Sequence, residues 1–265
     1  MENLSTFINE NLYINEDIKD IKQYAKTIDK DGGRISVDKT GMIKLPIQSW
    51  KLTFTEAIPE GASFEEISNP NLFFKKKADQ NTFDTVMKYV NWRDVNYIEL
   101  NWDIEDINNM DTLNEYAKDI DNGNLSICIR SKMDEFNADY KINILKADKV
   151  DNININIVNT LQLHNTNFFK KVSAKLINEL EVCPEEADLS KVKKINNLVI
   201  DCSHDSSIKA LEKFKFPKSI GILEIKCSGR GFGSKEKWTK ELPKDFIETL
   251  KSLKCDTITI DGEPL

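Results

Sequence analysis

Histidine is almost missing from this chain. His164 and His204 are the only two in 265 residues, so chemistry that needs clustered imidazoles has little to draw on. The five cysteines (Cys128, Cys183, Cys202, Cys227 and Cys255) are an odd number with no Cys-x-x-Cys pair. That excludes a complete disulfide frame and a zinc knuckle, and points to reduced thiols in a cytoplasmic setting. No apolar run approaches the roughly 18 residues of a membrane span, and acidic residues stand where a secretory signal begins basic, so no membrane partner is expected. An excess of positive charge is lacking as well: 37 Lys and Arg face 44 Asp and Glu, a net charge of −7. Without a broad cationic field, nucleic acid is not an expected partner. What remains is ordinary globular material, 40% hydrophobic, 31% charged and 9% aromatic. The length allows one large domain or two small ones, with about three quarters of the unfolded surface buried on folding.

The pattern changes near residue 92. Residues 1–92 read as a mixed α/β cap region. Leu4, Phe7, Ile8, Leu12 and Ile14 form a partial helical stripe, and Ile18, Ile21, Tyr24, Ala25 and Ile28 a clearer one that ends at Asp31-Gly32-Gly33. Ile35, Val37, Met42, Ile43, Leu45, Ile47, Leu52 and Phe54 mark short strands, and Phe83, Val86, Met87 and Val90 another helix.

Residues 93–265 contain a repeat. In Val158-Asn-Thr-Leu161-Gln-Leu163-His-Asn-Thr166 the apolar residues stand at places 1, 4 and 6, and the same spacing recurs at Ile177/Leu180/Val182, Ile195/Leu198/Ile200, Ile220/Leu223/Ile225 and Val95/Ile98/Leu100. Weaker copies fall at Ile127/Ile129, Ile142/Ile144 and Ile258/Ile260. Self-similarity near 20 residues is the mark of a solenoid, in which each coil buries its face against its neighbours. The pattern resembles the leucine-rich repeat family, whose core is L-x-x-L-x-L-x-x-N/C. The ninth place departs from it, holding Thr166, Ser203 and Ser228 but also Asp103 and Glu185. The resemblance implies an α/β fold: an irregular leucine-rich-repeat-like solenoid with a parallel sheet over 93–265. Longer units hold helices at Ile208/Leu211/Phe214 and at Phe246/Ile247/Leu250/Leu253.

In that register two outward ladders form. Place 5 holds Glu99, Cys128, Asn143, Gln162, Glu181, Val199, Glu224 and Thr259; place 7 holds Asn101, Arg130, Leu145, His164, Cys183, Asp201, Lys226 and Asp261. The second sets His164 beside Cys183, a pairing open to nucleophilic chemistry. A triad, however, needs the histidine between nucleophile and carboxylate, and here the cysteine lies between. Cys202 and Cys227 are equivalent in neighbouring coils and open to a disulfide, with two small thiols the ordinary reading. Asp201, His204 and Asp205 supply too few ligands for a metal. Gly229-Arg-Gly-Phe-Gly233 lacks the Walker lysine and reads as an excursion carrying Phe232 and Trp238. Lys75–Lys77 reads as a solvated run, and Asp103, Glu105, Asp106 and Asp111 as an acidic rim without calcium-loop spacing.

No catalytic residue, cofactor or metal is therefore expected. The expected role is non-enzymatic binding of a protein partner through Tyr97, Glu99, Trp102, Lys141, Gln162, His164, Glu181, Asp201, Glu224 and Lys226, with Tyr97 and Trp102 as anchors. A second reading comes from Met1-Glu-Asn-Leu4-Ser-Thr-Phe7-Ile8-Asn-Glu10, which is similar to a leader on proteins of large tailed bacteriophages and implies a virion component or cargo. A third is a cysteine-dependent enzyme using His164 and Cys183.

Overall fold

The computed structural model describes residues 12–14, 35–37, 42–44, 51–57, 63–64, 66–67, 71–102, 107, 110–117, 124–163, 169–202, 210–211, 213–227, 242 and 244–265. The leader-like residues 1–10 and the helical stripe at 18–28 lie outside them. The chain is α/β, its strands mostly parallel, and forms two compact units, residues 1–133 and 134–265.

The amino-terminal unit holds a small sheet of β1 (Leu12–Ile14), β2 (Ile35–Val37), β3 (Met42–Lys44) and β5 (Ser63–Phe64). Its first strand occupies the end of the stripe expected to be helical. Beside it in sequence, β4 (Lys51–Glu56), β6 (Asn71–Lys77), β7 (Tyr97–Trp102) and β8 (Ser126–Ile129) pair in parallel. Their register sets Leu52, Leu72, Ile98 and Ile127 in one buried row, and Phe54, Phe74, Leu100 and Ile129 in a second. Parallel neighbours need long crossovers, and here α1 (Gln80–Met87) and α2 (Asp111–Ala117) occupy two of them. Asp79 caps α1, its Oδ1 accepting from the Thr82 amide at 2.8 Å and the Thr82 hydroxyl at 2.5 Å. The helix buries Phe83, Val86 and Met87. The expected boundary at 92/93 falls inside this unit, between α1 and β7. Leu52-Thr-Phe54 and Leu72-Phe-Phe74 already carry the inward pair, so the apolar spacing extends upstream of residue 93.

In the carboxy-terminal unit the strands are β9 (Met133–Ala147, all but its first residue), β10 (Val150–Gln162), β11 (Lys170–Val182), β12 (Ala187–Val192), β13 (Ile195–Asp201), β14 (Ile220–Lys226), β15 (Cys255–Ile260) and β16 (Glu263–Pro264). β10, β11, β13, β14 and β15 are successive parallel neighbours, with β12 on the first half of β11. The register aligns Leu161, Leu180, Leu198, Leu223 and Ile258, and in a second row Val182, Ile200, Ile225 and Ile260. The widest step, from Leu223 to Ile258, accommodates α3 (Lys244–Ser252), which buries Phe246 and Leu250. At the end of β15 the chain turns through Asp261 (φ 49°) and Gly262 (φ 80°), the two positive values a tight hairpin requires, and lays β16 antiparallel on β15.

Burial along β10, β11 and β13 steps by three from place 1 to place 4, so two successive residues face outward and the pleat bends there. An asparagine fills the first outward place each time. Asn159 donates to Asn143 Oδ1 at 3.1 Å, Asn178 to Asn159 Oδ1 at 2.8 Å and Asn196 to Asn178 Oδ1 at 2.7 Å, a continuous side-chain ladder across four strands. On β14 the equivalent place is Gly221, where a Cβ would stand 2.6 Å from the Asn196 carbonyl oxygen. The ladder ends where the backbones close up.

This ladder corrects one register. The Asn143–Asn159 bond makes Asn143 a second-place residue, so the inward trio of its strand is Ile142, Leu145 and Ala147, all buried, while Ile144 points outward. Asn143 and Leu145 therefore do not belong to the outward fifth and seventh places. The third member is an alanine, and the pair Ile142/Ile144 imitates the 4–6 spacing.

Among the described residues of this unit two charged side chains are buried, Lys170 and Glu186. Lys170 is fully buried, and its burial lowers its pKa; Glu186, Asp148 and Asp151 oppose that shift by supplying negative charge nearby. The Lys170 amide also donates to the Glu186 carbonyl at 2.7 Å.

Candidate functional site

In each unit the inward rows leave the alternate residues on the other face of the sheet, and the two faces are built differently. On β6, β7 and β8 the register places Phe73, Glu99 and Cys128 in one row. Glu99 is buried, and three side chains converge on it: Lys75 in a close ion pair, the Tyr97 hydroxyl donating at 2.9 Å, and Arg130 Nε at 3.9 Å. Burial alone would raise the Glu99 pKa; the bonds from Lys75 and Tyr97 and the Arg130 charge outweigh it and hold the carboxyl below its usual range. The Tyr97 pKa is raised, by burial first and then by Cys128 and Glu99, so the phenol remains a donor. Lys75 Nζ also lies 5.1 Å from the Phe73 ring centroid, and that ring is 5.4 Å from Tyr97. The lysine read as part of a solvated run is thus bound into the sheet face.

Trp102, expected as an exposed anchor, is 2% exposed. Its ring packs against Phe74 (6.4 Å between centroids) and Phe83 (6.2 Å), and its backbone N–H and C=O both bond Ser131 Oγ. Its position in β7 continues the inward alternation of Ile98 and Leu100, which is why it turns into the core. Glu99 differs from expectation too, since its carboxylate is enclosed by its own neighbours.

The carboxy-terminal unit presents a concavity of about 710 Å³ over β10, β11, β13 and β14. Four of the expected partner-binding residues line it: Gln162, Glu181, Asp201 and Glu224. Register explains their convergence, because Gln162, Glu181, Val199 and Glu224 are successive rungs of one outward row, and Asp201 pairs with Lys226 in another. Lys226 reaches Glu181 across the surface, Nζ to Oε2 at 3.4 Å. Thr160, Glu179, Asn197 and Ile222 form a further row on the same floor, with Thr160 Oγ1 bonded to Glu179 Oε2 at 3.3 Å. Ile222 is 50% exposed there. This second row was not among the expected site residues, although the places two before the Gln162 row carry it plainly. Lys141 is exposed on β9 and does not line the concavity, and His164 lies outside the described residues.

Cys183 also lines the concavity, and its thiol is pushed up to about 12, by burial first and then by Glu186, Asp201, Glu185 and Glu181. At neutral pH it is a protonated thiol, the opposite of what a nucleophile needs. The turn after it is closed by Glu186, whose Oε2 accepts from the Cys183 amide at 3.0 Å. Cys202 and Cys227 are buried free thiols, and the Cys202 pKa is raised by its hydrogen bond with Cys227 and by burial. His204, Asp205 and the Gly229–Gly233 stretch lie outside the described residues. Among the described residues no three metal-ligating side chains gather, and no helix is long and apolar enough to cross a membrane. Comparison with protein-family models, with curated proteins and with solved structures finds no match to this chain.

Chemically, the amino-terminal face is a satisfied ion-pair cluster. The carboxy-terminal face is an open floor of carboxylates and amides with two outward aliphatic side chains, Val199 and Ile222. It offers hydrogen-bond acceptors and negative charge but no activated nucleophile, a surface suited to recognition.

Proposed function

We propose that this chain is a non-enzymatic protein-interaction module, an irregular leucine-rich-repeat-like solenoid that binds a protein partner through the sheet face of its carboxy-terminal unit. The observation that carries the reading is the 710 Å³ concavity, lined by outward side chains of four parallel strands. Consecutive coils present one residue each at about 4.8 Å intervals, which suits an extended surface of a macromolecule better than a small enclosed substrate. The protonated state of Cys183 weighs against a thiol enzyme.

Photo-crosslinking residues placed at Gln162, at Asn197 and, as a control, at the exposed Lys175 test this in cells that express the chain. The expected result is one discrete crosslinked polypeptide from the first two positions and none from Lys175. Equal capture from all three positions, or none from the concavity, would overturn the proposal.

A further inference from the structure

We infer that the concavity over β10, β11, β13 and β14 takes an extended basic segment of its partner, whose lysine or arginine side chains meet the carboxylates while an aliphatic side chain covers Ile222. This rests on the reading of that face as a partner-binding surface and specifies the partner's chemistry.

Charge complementarity argues for it. Five carboxylates line the space (Glu179, Glu181, Glu186, Asp201 and Glu224), and no lysine or arginine does. The chain itself shows how a cation is received, because the Lys226 ammonium leans over from β14 onto Glu181 at 3.4 Å. The carboxylates come from β11, the turn after it, β13 and β14, and do not gather into a metal-ligand set. A single bound cation would engage one or two of them, whereas a chain with several positive side chains engages the row. Ile222 completes the argument. It is an aliphatic side chain half exposed on a floor of acids, where a purely polar occupant would leave it in water and an apolar side chain from the partner would cover it.

Fluorescence anisotropy on the full chain tests this with three fluorescein-labelled peptides, in which valine alternates with lysine, with glutamate or with serine. The lysine peptide should bind at least about tenfold tighter than the glutamate peptide, and its affinity should fall about fivefold or more between about 50 and 300 mM salt. The double variant Glu179→Lys with Glu224→Lys should weaken it by about tenfold or more, and Ile222→Asp by a smaller factor. Glu248→Lys with Asp256→Lys makes the same change in net charge at exposed positions outside the concavity and should leave binding unchanged. Equal loss in both double variants would overturn the inference, since the attraction would then be to overall charge. Binding of the serine or glutamate peptide as tightly as the lysine peptide, abolished by Ile222→Asp, would overturn the basic preference while keeping the face as a binding surface. Absence of binding by all three peptides overturns the inference, and the crosslinks from Gln162 and Asn197 then decide separately whether the face binds a partner.

Discussion

Glu99 and Glu181 occupy the same place in their strands, the residue between two inward-pointing aliphatic side chains, yet their side chains are 7% and 59% exposed. In the amino-terminal unit the flanking Lys75, Tyr97 and Arg130 close over the glutamate and satisfy it. In the carboxy-terminal unit the neighbouring rungs are Gln162 and Val199, which supply no cation, and only Lys226 leans in from a strand further away. One strand pattern thus yields a sealed face in one unit and an open one in the other. The inward residues fix the stacking in both; the outward residues decide whether charge is used for stability or left for a partner.

The sharpest way to break this comparison is to neutralise each glutamate. Glu99→Gln leaves the Lys75 and Arg130 charges without their carboxylate, and chemical denaturation should show a loss of about 1.5–3 kcal/mol. Glu181→Gln removes one exposed ion pair and should change stability by no more than about 0.5 kcal/mol. Equal effects would mean the two faces are not differently built.

A second, smaller effect concerns how side chains hold neighbouring strands together. Asn178 both donates to Asn159 and accepts from Asn196, so Asn178→Ala breaks two rungs of the ladder and should cost about 1–2 kcal/mol. Asn114, on α2, serves in no such ladder, and its replacement by alanine is the matched control for the amino-terminal unit.

The smallest effect is a pH dependence carried by Asp188 in the carboxy-terminal unit. Burial works against ionisation of Asp188, but hydrogen bonds from the Ser190 hydroxyl, Lys215 and the Ser190 amide outweigh it and hold the carboxyl down to about 2. A carboxyl whose folded pKa lies below its unfolded value of about 3.9 stabilises the fold above that value, and the contribution fades as pH falls towards the folded pKa. Wild type should therefore exceed Asp188→Asn by about 1 kcal/mol at neutral pH, after discounting for the exposed Lys215 partner, with the gap closing between about pH 4 and pH 2. A gap that persists below pH 2 would show that the carboxylate contributes through packing and not through its charge.

The inward stripe was legible because burial against one face of a parallel sheet favours the same apolar spacing on successive strands, as at Leu161, Leu180, Leu198 and Leu223. Gln162, Glu181, Asp201 and Glu224 followed from it as outward neighbours. The asparagine ladder left an equally plain mark, Asn159, Asn178 and Asn196 each just after the first inward residue, a place the leucine-rich repeat pattern leaves unspecified. Trp102 was misplaced because a large aromatic at the end of a strand is compatible with either face. Its burial depends on Phe74 and Phe83, which come from a strand and a helix earlier in the chain.

By itself, the sequence determined the recurrent apolar spacing and the identity of most of the stacked aliphatic residues, since these follow from local alternation along one strand. Only the tertiary structure decided which outward charges meet. Lys75 and Glu99 are 24 residues apart, and Glu181 and Lys226 are 45 apart. Whether a carboxylate is enclosed or open depends on the side chains that neighbouring strands bring to it, and spacing along a single strand carries no record of them.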